Sequence, residues 1–233
     1  LERLKEQSRQ KEAEFFQNIA HRLGRNAPLT TPPEHLFRGA PDFWRQYSLS
    51  KEERISLLMK NWELAGGYAK RFADMEGAKR FVSELAIEWK AKSIVCQNQE
   101  ELISWKLEEA VPDAEVIVWT PEREEKLAAA AGADIGIVCV DYAAAYTGSI
   151  VVTSSPNKGR SVSLLPTVLV AVIPADNIYT KMGDFMSRIG ATPREEMPAG
   201  VHFISGPSRS ADIENDLTIG VHGPGIVYAL IVG

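Results

Sequence analysis

Ile135-Gly136-Ile137-Val138-Cys139-Val140 is the stretch on which the fold reading turns. An unbroken apolar run this short suits a strand buried on both faces; a half-exposed strand would alternate. Upstream of it, Pro121–Ala131 reads as a helix with proline at its tolerant first position, and Glu115–Trp119 as a strand. Glu100–Ala110 reads as a helix and Ser93–Cys96 as a strand. Gly77–Ala91 carries Phe81, Leu85 and Trp89 at four-residue spacing, a helix, and Tyr68–Ala73 is a strand candidate. Strand–helix alternation with short apolar strands predicts an α/β fold, a largely parallel sheet covered on both faces with right-handed crossovers.

Downstream of residue 140 the rhythm changes. Ser149–Ser155 and Thr167–Ala175 are strong strand runs, with Asn157-Lys158-Gly159-Arg160 as a turn between them. Asp176–Ile189 reads as helical, Val201–Ser205 as a strand, Ala211–Leu217 as a short helix and Val227–Val232 as a closing strand. All five tryptophans precede residue 120, whereas twelve of the seventeen glycines follow it. The first half therefore reads as mostly helical scaffold, the second as strands joined by glycine-bearing turns.

Residues 1–24 predict a helix whose apolar stripe (Phe15, Phe16, Ile19, Ala20, Leu23) becomes continuous only after Ala13, and Gly24 ends it. Pro28, Pro32, Pro33 and Pro41 make residues 25–41 a non-helical tether. Ser50-Lys51-Glu52-Glu53 fits a capping box and restarts a helix. The expected organisation is an N-terminal helical arm and tether over residues 1–49 and an α/β domain over residues 50–233. The arm suits a packing or oligomer contact or a partner-binding helix.

Net charge is −5, from 26 basic and 31 acidic side chains. That balance gives no broad electrostatic reason to bind nucleic acid or an anionic membrane. No apolar run approaches the ~20 residues of a membrane span. The N-terminal stretch lacks an apolar signal core, so the expected location is cytoplasmic. The two cysteines, Cys96 and Cys139, lie in apolar runs and read as reduced core residues. Two cannot supply the four thiolates of an ordinary iron–sulfur cluster.

Three loops collect glycine, hydroxyl and basic residues. The first is Tyr146-Thr147-Gly148-Ser149, and the second runs from Ser154 through Lys158, Gly159 and Arg160 to Ser161. The third is Ser205-Gly206-Pro207-Ser208-Arg209-Ser210-Ala211-Asp212, read as lying between a strand and a helix. A helix N-terminus there would hold an anion through unpaired N–H groups and the helix dipole, with Ser208, Arg209 and Ser210 adding donors. Plain capping by Ser208 or Ser210 with a solvated Arg209 explains the same residues, as does the dipole for Asp212 and Glu214. Lys158 and Arg160 fit either a soluble turn or a phosphate or carboxylate clamp. His222, held in Gly220-Val221-His222-Gly223-Pro224-Gly225, suits a general base, a ligand contact or a backbone-bonded turn residue. If the loops converge at the carboxyl ends of the strands, an anion site is the expectation. Its candidate residues are Gly148, Ser149, Ser154, Lys158, Gly159, Arg160, Gly206, Pro207, Ser208, Arg209, Ser210, His222 and Gly223. His21, His35 and His202 are scattered, and no metal-ligand spacing appears.

Tyr146-Thr147-Gly148-Ser149-Ile150-Val151-Val152, then Gly159-Arg160-Ser161-Val162-Ser163-Leu164-Leu165-Pro166, resembles the lactate-utilization (LUD) domain family. Phe203-Ile204-Ser205-Gly206-Pro207-Ser208-Arg209-Ser210-Ala211-Asp212-Ile213-Glu214 and Gly220-Val221-His222-Gly223-Pro224 resemble it more closely still, in the family's order. Asn18-Ile19-Ala20-His21-Arg22-Leu23-Gly24-Arg25 is similar to the start of the protein C subfamily. The resemblance implies a Rossmann-like sheet of the sugar-phosphate isomerase and CoA-transferase type with an antiparallel addition. It also implies a role in oxidising L-lactate to pyruvate beside two iron–sulfur proteins, with no cofactor in this chain. Many relatives carry glutamate where this chain has Tyr146, which removes the obvious carboxylate nucleophile for acyl transfer. Two other readings stay open: a stand-alone enzyme on a phosphorylated sugar, folate or CoA ester, and a non-catalytic scaffold.

Overall fold

The structure, a computed structural model, describes residues 2–32, 41–120, 123–213 and 216–233. These form two compact units, Leu1–Tyr47 and Ser48–Gly233. In the first, α1 (Glu2–Arg22) is followed by Gly24 at φ +70°, and the Arg25 N–H closes on the Ala20 carbonyl at 2.8 Å. That is the glycine-terminated helix end in which a 6→1 bond satisfies a last-turn carbonyl. Among the apolar side chains of α1, Ala20 is buried, whereas Phe15, Phe16 and Ile19 are exposed. The short α2 (Asp42–Gln46) follows, and Trp44 stacks on Tyr47 with ring centroids 5.4 Å apart.

The second unit opens with α3 (Lys51–Leu64), started by the expected capping box: Ser50 accepts from the Glu53 N–H and Glu53 accepts from the Ser50 N–H. Then come β1 (Tyr68–Phe72), α4 (Met75–Glu88), β2 (Ser93–Cys96), α5 (Glu100–Ile103), α6 (Leu107–Ala110), β3 (Glu115–Val118), α7 (Arg123–Gly132) and β4 (Ile135–Cys139). After these the chain forms β5 (Tyr142–Ala144), β6 (Ser149–Thr153), α8 (Ser161–Leu164), β7 (Val168–Pro174), β8 (Ile178–Tyr179) and α9 (Gly183–Gly190). It ends with β9 (Val201–Ile204), β10 (Arg209–Ile213), β11 (Asp216–Ile219) and β12 (Ile226–Val232).

Six strands in the order β1-β12-β7-β4-β2-β3 form one sheet, and its pairings are all parallel. This is the expected mainly parallel α/β architecture. The central strand β4 is buried at all five residues, as an apolar run without alternation requires. Helices cover both faces. Ile55, Leu58 and Trp62 of α3 pack with Val95, Val138 and Ala171 on one, while Val82 and Leu85 of α4 pack with Ile94, Ile137 and Val170 on the other. Each large side chain buried this way contributes ~1.5–3 kcal/mol. A second sheet, β8-β5-β6-β9, contributes Ile150, Val152 and Ile178 to the α3 face. It is the antiparallel addition behind the change of rhythm after residue 140, although β5 pairs with β8 in parallel.

Several local expectations are corrected. Ala211–Leu217 is not a helix: β10 and β11 form an antiparallel hairpin, with Arg209 opposite Ile219 and a register shift between Ser210 and Ile213. Leu217 and Ile219 alternate with Asp216 and Thr218, a period of two that overrode the acidic residues taken as a helix start. Ser149–Ser155 and Thr167–Ala175 do not form a hairpin, because β6 and β7 lie in different sheets with α8 between them. Asp176–Ile189 is α-helical only from Gly183 onward: a single 3-10 turn, Ala175–Asn177, and the strand β8 come first. Glu100–Ala110 breaks into two single turns at Lys106, whose φ of 45° no continuing helix accepts. Pro121 and Glu214 lie outside the described residues.

Candidate functional site

From β2 the chain moves outward to β3 on one side of the sheet, and from β4 it moves toward β7 on the other. The carboxyl ends of β2 and β4 therefore flank the point where strand order reverses, where open α/β sheets leave a crevice for ligands. Gln97, one residue beyond β2, stands at this point with 1% of its surface exposed. Its N–H donates to the Ile137 carbonyl at 3.1 Å, and its Oε1 accepts from the Cys139 N–H at 3.3 Å. Its Nε2 has no partner among the described residues.

Asp141, just past β4, organises the adjoining wall. Its Oδ2 accepts from the Thr153 N–H at 2.7 Å and hydroxyl at 2.8 Å, and its Oδ1 accepts from the Lys158 ammonium. The pair is largely enclosed, with 12% of the Lys158 side chain and 23% of the Asp141 side chain exposed. Ser155 and Lys158 close a tight turn on each other, and Asn157 accepts from the Asn98 N–H at 2.9 Å, joining that turn to the segment after β2. Gly159 lies flat against Trp119; a Cβ there would stand 2.1 Å from the indole. The Ser154 N–H donates to Gly200 at 2.9 Å, while the Ser154 Oγ and the Gln99 Oε1 are buried without partners among the described residues.

Arg160 is exposed at the start of α8, with its aliphatic stem and the His202 ring both beside Gly200. Desolvation, and then the Arg160 charge, holds the His202 imidazole below its ordinary pKa. The neutral ring is favoured beside the guanidinium. Among the described residues, the carboxyl edge thus joins the exposed Arg160 guanidinium, a neutralised ion pair and three polar atoms without partners.

Loops one and three assemble elsewhere, near the amino ends of the parallel strands. Asn61 of α3 donates to the Ala145 and Tyr146 carbonyls at 2.9 and 3.0 Å, so closely that a Cβ on Gly148 (φ +61°) would meet it at 2.7 Å. The Ser149 hydroxyl bonds that of Ser205 at 2.7 Å. Gly206, at φ +86°, packs against Ala65, and the Arg209 guanidinium donates to the Ala65 carbonyl. Pro207 is buried, the Ser208 N–H donates to Pro224 at 2.9 Å, Gly223 packs on Ser208, and Ser210 pairs with Thr218. His222 is exposed.

The candidate residues therefore divide in two. Ser154, Lys158, Gly159 and Arg160 lie at the carboxyl edge. Gly148, Ser149, Gly206, Pro207, Ser208, Arg209, Ser210, His222 and Gly223 lie at the amino edge. Antiparallel β6 and β9 run between the groups, from Thr153–Val201 to Ile150–Ile204. That separates the ends by ~10 Å of strand. The strand-to-helix anion site expected at Arg209 is replaced by a hairpin, which has no helix dipole. Gln97, Gln99, Asp141 and Asn61 were absent from the expected set. A polar Gln97-Asn98-Gln99 directly after an apolar strand was the available signal for the first two.

Comparison with known proteins places this geometry in a family. The LUD domain matches residues 55–232. A lactate utilization protein C of Halalkalibacterium halodurans is 31% identical over 218 residues, covering 92% of this chain and 94% of its own length. One from an Exiguobacterium species is 34% identical over 227 residues, covering 94% of each chain. Lactate utilization protein C 1 of Bacillus mycoides is 33% identical over 227 residues, covering 92% of this chain and 94% of its own. A crystal structure of a DUF162 family protein from Deinococcus radiodurans shares the fold with a TM-score of 0.59 at 18% identity, over 79% of this chain and 99% of that one. With the domain spanning most of its length and protein C relatives above 30% identity, the chain belongs to the LUD domain family.

Proposed function

We propose that this chain serves lactate utilization as a non-redox subunit in the oxidation of L-lactate to pyruvate, working beside two iron–sulfur proteins and binding a small anionic ligand. Its relatives named lactate utilization protein C support the metabolic assignment. The cysteines support the division of labour. Burial pushes both thiols up to about 11, so neither is a ready thiolate ligand, and two are too few for a cluster.

The observation that carries the ligand reading is the carboxyl-edge group at the strand-order reversal. Arg160 supplies charge, Ser154 and Gln97 supply unspent donors, and the Lys158–Asp141 pair fixes the wall. Deleting the gene abolishes growth on L-lactate in this account, and normal growth of the deletant contradicts it. Complementation with Arg160→Ala restores growth poorly if the anion site matters, and fully if the chain is a scaffold alone.

A further inference from the structure

Glu63 and Glu88 stand in the last turns of α3 and α4, helices of 14 residues each, and neither last turn holds a basic residue. A helix C-terminus carries partial negative charge and favours a cation, so each carboxylate adds to the charge it meets. Both line one cavity of about 390 Å³ beside β1, the strand at one end of the sheet. Neither forms an ion pair among the described residues. The other walls are apolar or aromatic, with Tyr68, Phe81, Leu85 and Tyr228 the main side chains. Tyr68 stacks on Tyr228 with ring centroids 5.0 Å apart, and Phe81 stands 5.7 Å from Tyr228 at 60°. The Lys70 ammonium lies 4.3 Å from the Phe81 centroid, so this cavity already accepts a cation on an aromatic face. Tyr228 is 9% exposed, and no hydrogen bond engages its hydroxyl among the described residues. Burial, then Tyr68 and Glu88, raise its pKa and keep the phenol protonated.

We propose that this cavity binds an organic monocation, a guanidinium or alkylammonium group on an apolar stem. The stem lies against Tyr68, Phe81 and Leu85, and the charged head donates to Glu63, Glu88 and the Tyr228 hydroxyl. Charge sets the sign and the size of the guest: Lys70 offsets one of the two carboxylates and leaves one negative charge uncompensated. The two helix ends deepen that potential. The volume falls in the range of small-molecule sites, whose walls are mostly apolar with a few placed polar groups. A free amine and an arginine or lysine side chain of another protein share this chemistry. The site lies at the β1 end of the sheet, three strands from β4, and is independent of the carboxyl-edge anion site.

The test titrates the purified full chain by calorimetry with butylguanidinium, butylammonium, butyrate and a capped tripeptide with a central arginine. Both small cations are expected to bind and butyrate is not. Glu88→Gln, an exposed change, should weaken butylguanidinium about tenfold, the loss of one charge-assisted hydrogen bond. Tyr228→Phe should weaken it several-fold with the melting temperature unchanged, because the hydroxyl it removes has no partner in the free chain. Lys70→Met should tighten it by clearing the Phe81 face. Tighter binding of the tripeptide than of butylguanidinium identifies a protein partner as the source and weaker binding a free amine; either result keeps the cation class. Binding of butyrate that Lys70→Met abolishes overturns the proposal, as does binding of neither cation. So does an affinity for butylguanidinium that Glu88→Gln leaves unchanged.

Discussion

The Cys139 N–H donates to Gln97 Oε1 at 3.3 Å, and this bond decides which end of the Gln97 side chain is left over. A backbone N–H can only donate, so the amide oxygen must face it and the amide nitrogen must face away. The bond joins the ends of β2 and β4, where strand order reverses, and leaves a buried donor at that reversal. The functional reading of the carboxyl edge depends on that orientation.

The Lys158–Asp141 pair gives an asymmetric prediction. Asp141 also receives the Thr153 N–H and hydroxyl, so Asp141→Ala strands a mostly buried ammonium and a backbone donor together. A loss of ~3–4 kcal/mol is expected in urea unfolding. Lys158→Met leaves Asp141 with both Thr153 donors and should lose about half as much. Equal losses would mean that the ion pair, rather than the Thr153 contacts, dominates.

Gly159→Ala tests the support beneath the loop. Its new methyl would enter the Trp119 ring, so either the indole or the turn must shift. The expected loss is ~1–3 kcal/mol, the range for overpacking a filled site, with reduced Trp119 burial visible in its fluorescence. A variant as stable as the parent would show that the turn is not seated on Trp119.

The thiols make stability pH-dependent in a defined direction. Burial raises both folded-state values to about 11, above the unfolded thiol value, so the folded state holds protons that the unfolded chain has released. Stability is full below the unfolded value and falls as pH rises through the folded one, by ~2–3 kcal/mol per thiol. Urea midpoints between pH 8 and 11 should fall more steeply for the parent than for Cys139→Ala. Parallel slopes would contradict the assignment.

His202 reports on Arg160. Burial and then the guanidinium depress its pKa, so its neutral form is favoured in the folded chain and acid works against that state. In an NMR titration, Arg160→Ala should move the His202 midpoint upward, and an anion bound at Arg160 should do the same in the parent chain. An unmoved midpoint in both cases would separate the two residues.

Much of the fold was legible because buried parallel strands have few disguises. The run Ile135–Val140 announced the centre of the sheet, and Ser50–Glu53 announced α3. The hairpin Arg209–Ile219 was not legible, because Asp212 and Glu214 mimic a helix start while the stabilising pairs lie across strands. Local pattern could not show that Gly148 meets Asn61 or that Gly206 meets Ala65, since each contact joins residues far apart in sequence. The same limit hid the division of the candidate residues between two edges. Lys158 reads as a free cation until Asp141 is seen beside it.

The most direct measurement follows the Gln97 side-chain amide by nitrogen-15 NMR as L-lactate is added. A saturable shift of that resonance, together with that of Ser154, is expected, while Ser208, Arg209 and His222 stay still. Movement confined to the amino-edge residues, with Gln97 unchanged, would contradict it.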